Sequence, residues 1–245
     1  MGYSAIDDRG EVMVSGPLVA TNYLRSVNAK TGEMTVTPLT DAQGWYKTGD
    51  VGEWTDAGCL RIIDRVKNIF KLPQGVFVAP EKLESAYRMC KYIEQIFVTG
   101  DPLKPNLVAV GVPDMEMMAM CAKEDFGKEL KQVEPGQLSQ ADQVALCKDV
   151  GVRAVVLAEL QKAGKAFGLL QYEMLRNILL RPERFSEENG LIAADGKLRR
   201  HELRRRFHKD IDGLFQEIAT NTGPASAKSI NPAASRPSRT PQRKD

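Results

Sequence analysis

Three stretches of the chain carry side chains whose types and spacing could act on a nucleotide, a phosphate or a carboxylate. The first is Gly44-Trp45-Tyr46-Lys47-Thr48-Gly49-Asp50. A carboxylate directly after a glycine at a strand end can offer two oxygens to a vicinal diol, as a ribose-binding acid does. Taken singly, Asp50 reads as a turn residue. The second stretch is Asp64-Arg65-Val66-Lys67-Asn68. Arg65 is permanently charged and can fork onto sugar or phosphate oxygens; by itself it also reads as a salt-bridged strand end. The third runs from Asn189-Gly190-Leu191 to Asp195-Gly196-Lys197-Leu198-Arg199-Arg200. Asp195-Gly196 signals a turn, which puts Lys197 on a connection just before a helix. An ammonium there could meet a carboxylate and a phosphate together and offset the charge that builds as they react. Arg199, Arg200, Arg204, Arg205 and Arg206 read as the solvated face of that helix.

The elements that must position these residues follow from periodicity and turn chemistry. Residues 1–65 read as strands and turns: Glu11–Val14, Thr35–Thr37, Trp45–Trp54, a Thr55-Asp56-Ala57-Gly58 turn, and Cys59–Arg65. Asn68–Pro80 reads as a small hairpin turning at Pro73-Gln74-Gly75. Pro80 suits a first helical position, and Glu81–Cys90 follows with Leu83, Tyr87 and Cys90 on one face. Ile93–Val98 and Leu107–Val112 read as core strands, Asp114–Lys123 as a helix with Met115, Met118 and Met120 filling core or groove. Helices are expected over Gln140–Lys148 and Val152–Ala163, and a short strand at Ile178–Leu180. One amphipathic helix is expected from His201 to Ile218, carrying Leu203, Phe207, Ile211, Leu214 and Ile218. The fold class is α+β: a β-rich piece, then a small domain with a three-stranded sheet and helices.

Composition narrows the function classes. The 245 residues include 34 Lys+Arg and 32 Asp+Glu, a formal charge of +2. Residues 221–245 hold five Lys/Arg against one acid, a balance of +4, which leaves −2 for residues 1–220. The folded part therefore lacks the electrostatic footprint of a nucleic-acid binder. The tail is Pro-, Ser- and Ala-rich with one large apolar residue, Ile230, and reads as a disordered basic tail. Cys59, Cys90, Cys121 and Cys147 form no CxxC pair, and with only His201 and His208 there is no zinc pattern. Reduced thiols facing the cytosol are expected. No secretory or myristoylation signal opens the sequence, and no apolar run approaches the ~20 residues of a membrane span.

The order of the motifs adds what no single motif carries. The string GWYKTGDVGEW, then IIDRVKNIFKL, Gln74-Gly75, and Val78-Ala79-Pro80-Glu81-Lys82-Leu83-Glu84 resembles the AMP-forming acyl- and aryl-CoA ligases of the adenylate-forming superfamily. Within it the chain looks like the long-chain fatty-acyl-CoA synthetases, through Gln95–Asp101, Val112-Pro113-Asp114 and Phe185–Leu191. The likeness covers about residues 3–218. Two departures stand out. Such synthetases usually show a Thr-Pro-Thr-Phe-Lys-type run where this chain has Ala193-Ala194-Asp195-Gly196-Lys197. The family's Ser/Thr/Gly-rich phosphate loop and its aromatic-Gly-x-Thr-Glu segment occur nowhere in these residues.

The resemblance implies a reaction in two halves: a fatty acid and ATP give an acyl-adenylate, and coenzyme A then displaces AMP. It implies that Asp50, with Thr48 of the same motif, and Arg65 bind the nucleotide. It makes Lys67 the interdomain hinge, Gly75 the loop glycine beside the pantetheine arm, and Lys197 the catalytic lysine. The expected organisation is residues 1–65 as the edge of an AMP-binding N-terminal domain, 66–220 as the C-terminal lid domain, and 221–245 as the tail. On this reading the chain is the C-terminal part of a ligase, inactive alone. Its partners are long-chain fatty acid, ATP, coenzyme A and the missing N-terminal domain, and no nucleic acid. No metal ligand is expected in this chain, since magnesium would travel with ATP and be held mainly by the missing domain. Such enzymes sit on the cytoplasmic face of the endoplasmic reticulum or related membranes, so peripheral membrane contact is a further expectation. A stand-alone, non-catalytic module binding coenzyme A, a nucleotide or a partner protein is the alternative.

Overall fold

The computed structural model describes residues 9–27, 34–128, 132–134 and 137–220. The expected tail, 221–245, lies outside the described residues. The chain divides into two compact units, Met1–Lys71 with Val76–Lys82 and Leu72–Gly75 with Leu83–Asp245.

The first unit holds β1 (Arg9–Val14), β2 (Asn22–Val27), β3 (Met34–Pro38), β4 (Tyr46–Trp54), β5 (Leu60–Arg65), β6 (Phe70–Lys71) and β7 (Phe77–Val78). An antiparallel sheet runs in the order β1-β4-β5, while β2–β3 and β6–β7 pair separately. The β4–β5 turn closes where its Asp and Gly predict, with Gly58 N–H donating to Thr55 O at 2.8 Å. One face of the sheet is charged. Glu53 lies between Arg9 and Arg61, accepting from their Nε atoms at 3.1 and 2.7 Å. Burial works against the Glu53 carboxylate, but the two guanidinium groups outweigh it and hold its pKa below the ordinary value. On the other face Gly52 lies against apolar side chains, where an added Cβ would stand 3.0 Å from both Leu60 Cδ1 and Val12 Cγ2. β2 is absent from the sequence expectation because Asn22-Tyr23-Leu24-Arg25 carries no apolar run; its pairing with β3 forms it.

A helix, α1 (Pro80–Tyr87), begins in the first unit and continues into the second. Next come β8 (Ile93–Gly100), β9 (Leu107–Pro113), α2 (Met115–Met120), α3 (Ala122–Phe126), β10 (Gln132–Glu134) and β11 (Gln137–Leu138). Then α4 (Gln140–Lys148), α5 (Val150–Phe167), β12 (Leu175–Leu180), α6 (Arg200–Arg206) and α7 (His208–Ala219) complete the second unit. The expected three-stranded sheet is present in the order β12-β9-β8. β9 is central, antiparallel to β8 and parallel to β12, and every one of its residues is buried. A strand covered on both faces reads as a continuous apolar run, as Leu107–Val112 does. Phe97, Val110, Phe185, Leu203, Phe207, Ile211, Leu214 and Phe215 form one core cluster of this unit.

The Met-rich helix is two short helices. Asp114 accepts from Met117 N–H at 3.0 Å and caps α2, and the chain breaks at Cys121. Met118 is fully buried as expected, but Met120 is 63% exposed because it falls on the opposite face of so short a helix. The last helix is also two, separated at Phe207, whose φ of −100° and ψ of 16° leave the helical region. Phe207 is buried beside the Phe185 ring at 6.2 Å, so the break serves a core contact that periodicity alone cannot show. A polar clamp secures β12: Arg153 donates to Ile178 O, Asn177 Oδ1 and Glu217 at 2.9, 3.0 and 2.8 Å.

Candidate functional site

In the first unit the sequence motifs converge on the end of the β4–β5 ladder. Asp50 and Arg65 stand opposite each other in register, and Arg65 Nε lies 3.1 Å from Asp50 Oδ1. Gly49, at φ +75°, puts a bulge into β4 just before Asp50, a conformation in which a Cβ is strained. Thr48 holds that bulge: its Oγ1 donates to Val12 O at 2.8 Å and accepts from Asp50 N–H at 3.1 Å. The threonine hydroxyl therefore acts on the backbone that aims Asp50. The Asp50–Arg65 pair is part-exposed, at 28% and 47% of the side chains, and so both groups are open to a ligand from solvent.

Asp64, named in the second stretch but given no role there, is a buried carboxylate that supports this edge. Asp64 is 2% exposed. Its Oδ1 accepts from Arg65 N–H at 2.6 Å and Asn68 Nδ2 at 3.0 Å, and its Oδ2 from Glu81 N–H at 2.8 Å. Asn68 also donates to Glu81 Oε1 at 2.7 Å. This network fixes the turn from Arg65 to Asn68 and the start of α1. Lys67 sits exposed in that turn, inside the first unit. Asp64 lies next to a register shift between Val51 and Gly52, and strand alternation reveals neither the shift nor the burial.

In the second unit Gly75 adopts φ +86° and closes the expected turn by donating to Leu72 O at 2.9 Å. Gln74 anchors the turn through Nε2 to Pro105 O at 3.3 Å. Lys197 lies on a hairpin: Ile192 and Leu198 bridge, Ala193 N–H donates to Lys197 O at 2.8 Å, and Gly196 N–H to Ala193 O at 2.8 Å. The Asp195-Gly196 pair makes the turn, so the sequence that departs from the family run still presents the lysine. Lys197 Nζ is exposed, 3.4 Å from Asp195 Oδ2. The Lys197 N–H, donating to Asp195, holds that carboxyl below its ordinary pKa, with help from the ammonium.

Arg200 corrects the reading of a wholly solvated arginine face. Its guanidinium forks onto Glu84, Nη1 to Oε1 at 2.9 Å and Nη2 to Oε2 at 2.6 Å, with side chains only 15% and 5% exposed. Nothing in the spacing of Pro80–Tyr87 marks Glu84 as buried; its partner is 116 residues away. Among the described residues no group of three or more His, Cys, Asp or Glu side chains could hold a metal ion. No helix among them is long and apolar enough to cross a membrane.

The architecture and motifs can be set beside known proteins. No family model matches the chain. Its fold is similar to the adenylation domain of a carboxylate reductase from Mycobacterium chelonae, with a TM-score of 0.59 and 25% identity over 85% of this chain and 31% of that one. The A-PCP didomain of carboxylic acid reductase from Segniliparus rugosus, in complex with AMP, is similar at TM-score 0.58 and 25% identity over 82% and 28%. The fold is thus that of part of an adenylate-forming enzyme.

Sequence narrows the class. The chain is 39% identical over 219 residues to long-chain-fatty-acid–CoA ligase 1 of Homo sapiens, covering 89% of this chain and 29% of that protein. It is 38% identical over 218 residues to ligase 5 of Rattus norvegicus, with the same coverage. It is 36% identical over 224 residues to the peroxisomal long chain acyl-CoA synthetase 7 of Arabidopsis thaliana, covering 90% and 30%. The chain is a homologue of the long-chain-fatty-acid–CoA ligases, and it spans less than a third of the length of these relatives.

Proposed function

We propose that the chain supplies the C-terminal part of a long-chain-fatty-acid–CoA ligase, with residues 1–65 the edge of its AMP-binding domain and 66–220 its lid. The observation that carries this reading is the Asp50–Arg65 pair, 3.1 Å apart across β4 and β5. It offers a carboxylate for ribose hydroxyls and a guanidinium beside it. In the first half-reaction a fatty carboxylate oxygen attacks the α-phosphorus of ATP, the bond to the β-phosphate oxygen breaks, and pyrophosphate leaves. Lys197 neutralises charge on the carboxylate and phosphate as they meet. An exposed ion pair contributes little, so release of Lys197 from Asp195 costs little. In the second half-reaction the coenzyme A thiol loses its proton to solvent, its sulfur attacks the acyl carbon, the acyl C–O bond breaks and AMP leaves. Lys67 is the hinge between the two states, and Gly75, without a side chain, lets the pantetheine arm pass. Closure of the lid excludes water from the acyl-adenylate.

The chain alone is not expected to catalyse ATP–pyrophosphate exchange with palmitate, because the phosphate loop is not among its residues. Adding a polypeptide that carries the upstream part of such a ligase restores exchange, and Lys197→Ala in the present chain lowers it at least about 100-fold, the scale of losing one preorganised charge-stabilising group. Exchange by the chain alone, abolished by Lys197→Ala, would overturn the partial-enzyme reading. Nucleotide or coenzyme A binding with no exchange, even when the upstream part is supplied, would favour a non-catalytic binding module.

A further inference from the structure

We propose that Arg200 and Glu84 are positioning residues for Lys197; this rests on the catalytic role proposed for that lysine. From Ile192 to Glu202 the chain is exposed or half-buried, and it carries Lys197 near the middle of the run. The hairpin itself is short: one bridge, Ile192 to Leu198, and a turn at Gly196. Its return arm continues through Arg199 N–H to Leu191 O at 2.8 Å and Arg200 N–H to Leu198 O at 3.0 Å. Ile192 and Leu198 pack against the core cluster and hold the base of the hairpin by apolar contact, which leaves its direction to what holds the residues immediately after Lys197.

Arg200, three positions beyond Lys197 and first in α6, is the polar anchor of that segment. Its fork onto Glu84 has two points of contact, so it fixes direction as well as distance. The guanidinium also lies over the Phe97 ring, 5.9 Å from its centroid. Glu84 is fixed in turn. Its Oε1 accepts from Val98 N–H at 2.8 Å, on β8, one of the two edge strands of the sheet. The carboxylate thus ties three elements together: α1, which bears it, the sheet edge, and the start of α6. A carboxylate needed only to satisfy the sheet edge has no use for a forked cation. One needed only for stability could equally be a well-packed apolar pair, since a buried ion pair is poor evidence of stabilisation. Its specific effect is geometric, and the group it orients is the hairpin bearing Lys197.

The test uses the chain as it is, with Arg200→Lys, Glu84→Gln and, as a control on the exposed face of α6, Arg204→Gln. Amide hydrogen exchange is followed by peptide, together with the rate at which acetic anhydride labels Lys197. Arg200→Lys keeps the charge and the buried stem but loses the fork. It should speed exchange of residues 192–199 about tenfold and change Lys197 labelling, while β9 and β12 keep their protection. Glu84→Gln should do the same, and Arg204→Gln should leave exchange unchanged. Uniform loss of protection across the second unit, or no local change, would overturn positioning in favour of a merely structural pair.

The catalytic consequence is read separately, with the upstream part of the ligase supplied. Arg200→Lys should lower adenylate formation while thioester formation from preformed acyl-adenylate and coenzyme A stays within about threefold, since electrostatic positioning of Lys197 belongs to the first half-reaction. Equal loss of both halves would overturn the proposal. If the exchange result holds and the wild-type mixture forms no adenylate, the catalytic reading fails while the positioning of the hairpin stands.

Discussion

Asp50 and Asp64 show how two acids fourteen residues apart come to do different things. Asp50 follows a glycine, lies part-exposed and faces Arg65; Asp64 is buried and spends both oxygens on N–H donors at the turn and the start of α1. The same distinction separates Lys197, exposed, from Arg200, forked and covered. The clearest residue-level prediction concerns Glu217. Burial pushes its carboxyl up, but Arg153 and Asn177 outweigh that and hold it below its ordinary 4.5. A depressed folded pKa contributes stability that is present above 4.5 and is lost as pH falls through the lowered value. Thermal melts from pH 7 to pH 3 should show Glu217→Gln less stable than wild type at pH 7, with the gap closing towards acid. Removing the other partner is harsher: Arg153→Met leaves buried Asn177 and Glu217 without their cation, and should cost about 3 kcal/mol in urea unfolding.

At the scale of elements, strands and hairpins matched the sequence wherever alternation and turn chemistry agreed. The Thr55–Gly58 turn, the Gly75 turn and the Asp195-Gly196 turn all fall where their residues require. The expected helices over Gln140–Lys148 and Val152–Ala163 are present as α4 and α5, but breaks within helices were less legible. Leu203, Phe207, Ile211 and Leu214 are all buried as one helix would bury them, yet the backbone breaks at Phe207. The 3.6-residue period survives a break that keeps the apolar side chains in one cluster, so the period cannot report the break. The bulge at Gly49 is similarly a matter of pairing. Its integrity depends on Thr48, and Thr48→Val, which keeps the shape and removes the hydroxyl, should cost about 1–2 kcal/mol by leaving Val12 O and Asp50 N–H unsatisfied. Denaturant midpoints would check the cost, and a weaker response to AMP in the same melts would show that the bulge aims Asp50.

The whole molecule is uneven. Among the described residues 9–71, Val51 is the one buried hydrophobic side chain, at 3% exposure, whereas the second unit has an extensive core. Met13, Tyr23, Leu24, Trp54, Leu60 and Ile62 remain exposed on the first unit. Exposed apolar side chains can belong to an interaction face, and if the chain is part of a ligase, as proposed, the upstream domain is the partner that would cover them. The chain's two tryptophans, Trp45 and Trp54, are 45% and 59% exposed in this unit and report on it directly. Iodide should quench their fluorescence strongly in the chain alone and less once the upstream part of a ligase is added. Unchanged quenching, with binding shown independently, would place the partner elsewhere.

Local chemistry was written in the order of residues. Asp50 after Gly49, Lys197 after Asp195-Gly196, the apolar run of β9 and the motif order that resembles acyl-CoA ligases all depend on neighbours within a few positions. Tertiary structure alone decided what depends on distant partners. Glu84 meets Arg200 across 116 residues, Asp64 is buried against the start of α1, and Thr48 reaches Val12 across the sheet. Short-range dihedral preferences and side-chain periodicity are carried by adjacent residues, whereas burial of a charge is settled only when the remote group that pairs with it is brought alongside.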